Sequence, residues 1–160
     1  MINLHKITDC SYDLMLLQKK IFLPIYLKYF DKHNPIFESR KIMQYRLRNK
    51  NTKAYYVVYE EKKESFKTVG YVILRFNNNT ATIGRIGVLN KYQNKGIGTL
   101  VIEELEKRFS NYKIWQLDTI KEEKRNCHLY EKLGYIPTGE ERKINKRMTI
   151  LNYEKRLERL

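Results

Sequence analysis

Only two cysteines occur in the 160-residue chain, Cys10 and Cys127, and they form no metal-ligand spacing. Each reads as a small apolar residue of a core. His5 and His33 have no companions of ligand type, so no metal is expected. Long uncharged apolar runs are also missing. The longest candidate for a membrane segment, Ile21 to Phe30, is interrupted by Pro24 and Lys28, and is about half the length a spanning helix needs. No membrane is therefore expected as a partner. The first residues lack a basic stretch followed by an apolar one and a small-residue cleavage site, so the expected location is the cytoplasm. There is no repeat, low-complexity block or linker. The length suits one core and is short for two typical domains, so residues 1–160 are expected to form a single domain.

Acidic residues are scarce: 18 against 32 Lys and Arg, a formal charge of +14. Such a surface concentrates polyanions around it. The basic residues are nevertheless scattered and mixed with acids, as in Glu60-Glu61-Lys62-Lys63-Glu64, which is the pattern of a solvated face. No nucleic-acid reading motif is present, and nucleic acid is not the expected partner. A ligand with several phosphates would suit a basic mouth.

What is present, at 42% hydrophobic and 31% charged residues, is a globular composition. Ile2 to Ile7 alternates as an opening strand. Ser11 is a plausible N-cap for a helix carrying Leu14, Leu17, Ile21 and Ile25, with a break or kink expected near Pro24. Asn34-Pro35 is a turn, and Ser39 to Leu47 a second helix. Tyr- and Val-rich segments then predict a meander of three strands, Ala54 to Glu60, Phe66 to Phe76 and Thr80 to Leu89, with turns at Glu61 to Ser65 and Asn77 to Asn79. After Gln93 a helix places Ile97, Leu100, Val101, Leu105 and Phe109 on one side. Lys113 to Thr119 is a strand, Asn126 to Leu133 a helix stopped by Gly134, and Tyr135 to Arg142 with Met148 to Tyr153 a final pair of strands. The class is α/β.

Gly96 and Gly98 lie between a strand and a helix, where free N–H groups and the positive end of the helix dipole favour an anion. Glycine lets a phosphate approach that backbone closely. Rival phosphate loops fit badly: no Lys-Ser or Lys-Thr pair follows the glycines, and the third glycine of a dinucleotide fingerprint is missing. The segment Ile86-Gly87-Val88-Leu89-Asn90-Lys91-Tyr92-Gln93-Asn94-Lys95-Gly96-Ile97-Gly98 resembles motif A of the GNAT acyltransferase superfamily. Further along, Asn126-Cys127-His128-Leu129-Tyr130-Glu131-Lys132-Leu133-Gly134-Tyr135 resembles its motif B, and the order of elements is similar across essentially the whole chain. From Trp115 to Lys155 the sequence is further similar to small bacterial members whose substrates are mostly unassigned.

The resemblance implies a GNAT fold, a mixed, mostly antiparallel sheet of six to seven strands flanked by about four helices, and an acetyl-CoA-dependent N-acetyltransferase. It implies that Gln93, Asn94, Lys95, Gly96, Ile97, Gly98 and Thr99 cradle the coenzyme's pyrophosphate. Ile86, Gly87 and Val88 would pair with the pantetheine arm, Gly87 easing a bulge and the Val88 N–H polarising the thioester carbonyl. Asn126 would hold the same arm, Lys132 would approach a phosphate or cover the helix exterior, and Tyr130 would be the general acid for the departing thiolate. A Glu that many members carry on the bulged strand is missing, since Gly84, Arg85 and Ile86 stand there. Asp118 is the candidate base, or else a turn residue. His128, two residues from Tyr130, should point elsewhere. The acceptor is an amine of a small molecule or a protein, and homodimerisation, common in the superfamily, stays open. Two other readings remain: a basic nucleic-acid-binding module, and an acyl-CoA-binding member without catalysis.

Overall fold

The computed structural model describes residues 1–158. In chain order it contains β1 (Ile2–Lys6), α1 (Tyr12–Tyr29), α2 (Arg40–Arg48), β2 (Thr52–Lys62), β3 (Ser65–Asn77), β4 (Thr80–Val88), α3 (Ile97–Arg108), β5 (Ile114–Ile120), α4 (Lys124–Lys132), β6 (Ile136–Asn145) and β7 (Met148–Arg156). Single 3-10 turns, Pro35–Phe37 and Asn90–Tyr92, were not foreseen.

Local chemistry sets the ends of these elements. The Ser11 hydroxyl accepts from the Leu14 N–H at 3.0 Å and opens α1; Ser39 does the same for α2 through Ile42 at 3.2 Å. The Asn34 side chain accepts from the Ile36 N–H at 2.9 Å and shapes the turn before α2. Gly134, with φ of 96°, closes α4 as expected: its N–H reaches the Glu131 carbonyl and the Tyr135 N–H the Tyr130 carbonyl, the paired bonds of a Schellman end. Of the break or kink expected near Pro24, the break does not occur, and α1 runs through it. Pro24 and Lys20 both lie on the exposed side, so the carbonyl that loses its helical donor meets water instead.

The seven strands form one sheet in the order β1-β2-β3-β4-β5-β7-β6, antiparallel except for the β4–β5 pair. One face packs against α3 and α4 through a core that includes Val57, Leu74, Ile83, Val101, Leu105, Trp115 and Leu117. The other packs against α1 and α2 through Leu14, Leu17, Ile21, Met43, Tyr71 and Ile73. Leu100, expected on the inner side of α3, is exposed.

The bulge in β4 falls at Gly84 and not at Gly87. Leu74 faces Ile83 while Ile73 faces Arg85, which leaves Gly84 as the extra residue. Gly87 has a different reason to be glycine: a Cβ there would lie 2.5 Å from Ile21 Cγ2, so α1 can sit this close to β4 only over a bare backbone.

Candidate active site

β4 and β5 are paired only from Thr80 opposite Ile114 to Ile83 opposite Leu117; beyond that point no pairing joins them. The Leu89 N–H donates to the Val69 carbonyl at 2.8 Å, toward β3. On an antiparallel ladder that alternation turns the N–H and C=O groups of Val88 and Ile86 to the other edge, which β5 has left. The Val88 carbonyl there accepts from Gln93 Nε2 at 3.0 Å. A length of strand edge is thus available to a ligand.

A cleft of about 340 Å³ opens along this edge. Its walls are Ile86 to Val88, the glycine turn with the start of α3, one side of α4, and Ile21, Phe22 and Ile25 of α1. Asn94 (φ 63°) and Gly96 (φ 76°) both adopt left-handed backbone, which folds the turn back on the cleft. The first intrahelical bond of α3 runs from the Leu100 N–H to the Gly96 carbonyl, so the N–H groups of Ile97, Gly98 and Thr99 have no helical acceptor. No side chain caps them and no acidic residue occupies the first turn. A Cβ on Gly96 would meet nothing within 4 Å, so that side of the turn is open. The geometry is that of an anion cradle joined to a free strand edge.

Of the residues singled out in the sequence, Ile86, Gly87, Val88, Gln93, Asn94, Gly96, Ile97, Gly98, Thr99, Asn126, Tyr130 and Lys132 all line this cleft. Lys95 is exposed outside the lining. His128, expected to point away, lines the cleft as well. Sequence reasoning passed over Arg125, whose Nη1 donates to Asn94 Oδ1 at 2.6 Å and ties α4 to the glycine turn. It also passed over the three α1 residues, which only tertiary packing brings there.

Tyr130 is 8% exposed and lies edge-on or tilted to Tyr135 and Tyr153, with ring centroids 6.3 and 6.2 Å away. Burial, with a smaller contribution from Cys127, pushes its hydroxyl up to about 12. It is therefore a neutral donor throughout the physiological range.

Asp118 does not join this cleft. Trp115 and Leu117 face the α3–α4 core, and alternation sends Asp118 to the opposite face, where its carboxylate accepts from Asn152 Nδ2 at 2.9 Å. A carboxylate does approach the bulge from elsewhere in the chain. Glu38, between the 3-10 turn and α2, accepts from Arg85 at 3.1 and 3.3 Å and from Arg46 at 2.8 Å. Arg85 Nη1 also reaches Gln18 Oε1 at 3.1 Å, an oxygen shared with the Tyr71 hydroxyl. Burial pushes the Glu38 carboxyl up, but the Arg85 and then the Arg46 guanidinium outweigh it and hold it below the usual range. A carboxylate held in this way is a poor acceptor for an amine proton. Among the described residues no cluster of His, Cys, Asp and Glu could hold a metal ion, and no helix is long and apolar enough to cross a membrane.

A parted parallel strand pair and a glycine turn at a helix start are the arrangement expected from the acyltransferase superfamily that the sequence resembles. The family model described as "Acetyltransferase (GNAT) family" matches residues 19–135. The chain belongs to that family and is an N-acyltransferase. No curated protein matches the sequence significantly. Among solved structures, the chain is similar to a domain from Methanocaldococcus jannaschii, at 21% identity and a TM-score of 0.75, over 98% of this chain and 99% of that one. It is similar to the PaiA N-acetyltransferase of Thermoplasma acidophilum in complex with coenzyme A, at 16% identity and a TM-score of 0.74, over 98% and 99%. It is also similar to spermidine N-acetyltransferase from Vibrio cholerae in complex with CoA and spermine, at 19% identity and a TM-score of 0.71, over 96% and 94%. At these identities the likeness is one of fold.

Proposed function

We propose that this protein transfers the acetyl group of acetyl-CoA to a primary amine of a small molecule or protein by direct attack. The observation that carries the reading is the cleft itself. An anion cradle at the start of α3 and a free edge at Ile86 and Val88 are walls of one 340 Å³ space, as a ligand with a pyrophosphate and an amide-bearing arm requires. The Ile97, Gly98 and Thr99 N–H groups would hold the pyrophosphate, and Arg125 and Lys132 would add positive charge. The Val88 or Ile86 N–H would polarise the thioester carbonyl.

The amine attacks the carbonyl carbon, the C–N bond forms and the C–S bond breaks. The proton lost by the nitrogen replaces the one gained by sulfur, so none is consumed overall. Tyr130 stands in the cleft wall as the donor to the departing sulfur. Full transfer from a hydroxyl at about 12 to an ordinary thiolate at about 8.5 is uphill by about 5 kcal/mol. Tyr130 thus acts mainly through a hydrogen bond that strengthens as charge develops on sulfur, and yields its proton only as the ammonium releases one. The missing carboxylate at the bulge and the constrained Glu38 favour water as the acceptor of the amine proton.

Calorimetric titration with acetyl-CoA, followed by an amine panel monitored for thiol release, tests the proposal. Micromolar binding and amine-dependent release are expected. No binding at millimolar acetyl-CoA would overturn the whole reading, and binding without release on any amine would leave a coenzyme-binding protein without this activity.

A further inference from the structure

Helix α1 is apolar on two opposite sides. Leu14, Leu17 and Ile21 form the buried side. Around the helix, Tyr12, Leu16, Leu23, Leu27 and the cap residue Phe30 recur at spacings that fall within about 60° of one another at 3.6 residues per turn. These five are exposed, from 45% for Leu23 to 77% for Tyr12. The patch extends sideways: Tyr26 lies edge-on to Phe30 at 5.8 Å and to Phe37 at 5.0 Å, and Arg40 sits over the Tyr12 ring at 4.6 Å. Ile42 and Tyr45 of α2 are exposed as well. Of the exposed large apolar residues among the described residues, only Met1, Phe66, Leu100 and Ile136 lie outside the span from Tyr12 to Tyr45. A concentration of this kind on one layer of a molecule otherwise rich in surface charge marks a contact surface.

Its charge says what it contacts. Lys19 and Lys20 flank the stripe, one on each side of it, and Lys32, Arg40 and Lys41 are exposed along the same span. The acids of the span are Asp13, Asp31 and Glu38, and Glu38 is turned inward to Arg85 and Arg46. An occupant must be apolar in part and anionic. A second copy would bring the same +14 charge to the contact. A protein partner anchors best where a pocket receives its side chains, whereas the cleft beside β4 is lined by the inner residues of α1 and not by the outer stripe. Leu and aromatic side chains projecting from a helix with lysines along it are the pattern of a helix lying in a lipid–water interface, the lysine stems reaching to the headgroups.

We propose that the outer face of α1, together with Phe37, docks on an anionic lipid surface. An in-plane contact needs no spanning segment. Attraction to the headgroups would bring the face down, and insertion of Leu16, Leu23, Leu27 and Phe30 would hold it there. The inner side of the same helix supplies Ile21, Phe22 and Ile25 to the cleft.

The test is co-sedimentation of the full chain with vesicles of pure phosphatidylcholine and of phosphatidylcholine with about one-third phosphatidylglycerol. Binding to the second alone is expected, weakened about tenfold or more by raising salt from low to near-molar concentration. The triple variant Leu16→Ser, Leu23→Ser, Leu27→Ser should bind about a hundredfold more weakly, with an unchanged circular dichroism spectrum. Lys19→Glu with Lys20→Glu should also weaken binding on the same vesicles, leaving the fold intact. No binding to the anionic vesicles at low salt overturns the proposal. So does undiminished binding by the leucine variant, which would reduce the effect to charge alone. A wild-type dimer that the leucine variant converts to monomer would assign the face to a second copy. Binding of an acidic amphipathic peptide in place of vesicles would assign it to a protein, and either result refutes docking on lipid.

Discussion

Replacing Tyr130 by Phe removes one oxygen from the cleft wall and leaves the ring and its neighbours at 6.2 and 6.3 Å in place. Among the described residues the hydroxyl has no hydrogen-bond partner, so its loss leaves no buried group stranded, and stability should change by less than about 0.5 kcal/mol. Coenzyme affinity should hold within about twofold, because the cradle N–H groups and the strand edge are untouched. The effect falls on the chemical step. A positioned acid contributes about 10²- to 10⁴-fold. A hydroxyl raised to about 12 cannot give its proton to a thiolate without help, which puts the expected loss at the lower end, about a hundredfold in kcat, or about 2.7 kcal/mol. The assay is thiol release at saturating acetyl-CoA with the best amine of a panel, beside calorimetry for affinity. Because the hydroxyl stays neutral up to about 12, it should impose no alkaline fall in kcat below about pH 10. A kcat within threefold of the wild type would refute the role assigned to Tyr130.

Gly87→Ala sets a methyl 2.5 Å from Ile21 Cγ2, and urea unfolding should show a loss of about 1–3 kcal/mol; Ile21→Ala should recover part of it, and strict additivity of the two losses would contradict the packing account. Gly96→Ala faces open space but left-handed backbone, so about 1–2 kcal/mol of stability should go; the accompanying fall in acetyl-CoA affinity, read by calorimetry, would be missing if the turn held no phosphate. Glu38, Arg85 and Arg46 side chains are 10%, 17% and 33% exposed, and Glu38→Gln, which leaves both guanidiniums short of a counter-charge, should cost about 3 kcal/mol near neutrality. Since the folded Glu38 carboxyl is held below its ordinary 4.5, its contribution is present above that pH and lost as pH falls through the depressed value. Wild type and Glu38→Gln should accordingly converge in stability on acidification, and parallel curves between pH 5 and pH 3 would show that the pair is not coupled to folding.

Much of the fold was legible because hydrophobic period and capping agree along the chain: Ser11, Ser39 and Gly134 end elements where expected, and the meander lies where Tyr and Val alternate. The uncapped turn at the start of α3 was legible for the same reason, a pair of glycines next to an amphipathic helix. The bulge was misplaced at Gly87 although a signal existed. Ile83, Ile86 and Val88 share one face of β4, and the three-residue step from Ile83 to Ile86 breaks the two-residue period as one inserted residue does. Alternation in β5 likewise carried enough to turn Asp118 away once Trp115 and Leu117 were taken as core. Glu38, Arg125 and the α1 wall belong to another category. Their places depend on how distant elements pack, and no local pattern around them encodes it.

The parting of β4 from β5 also divides one strand into amides of unequal lability. Arg85 and Gly87 turn their N–H groups toward β3, while Ile86 and Val88 present theirs to the gap. Deuterium should accordingly enter alternate positions of β4 in the free protein, quickly at Ile86 and Val88 and slowly at their neighbours, as local opening is not needed where a bond is absent. A ligand lying along the edge would supply acceptors to the two fast sites and erase the alternation, so this stretch of backbone reports its own occupancy residue by residue.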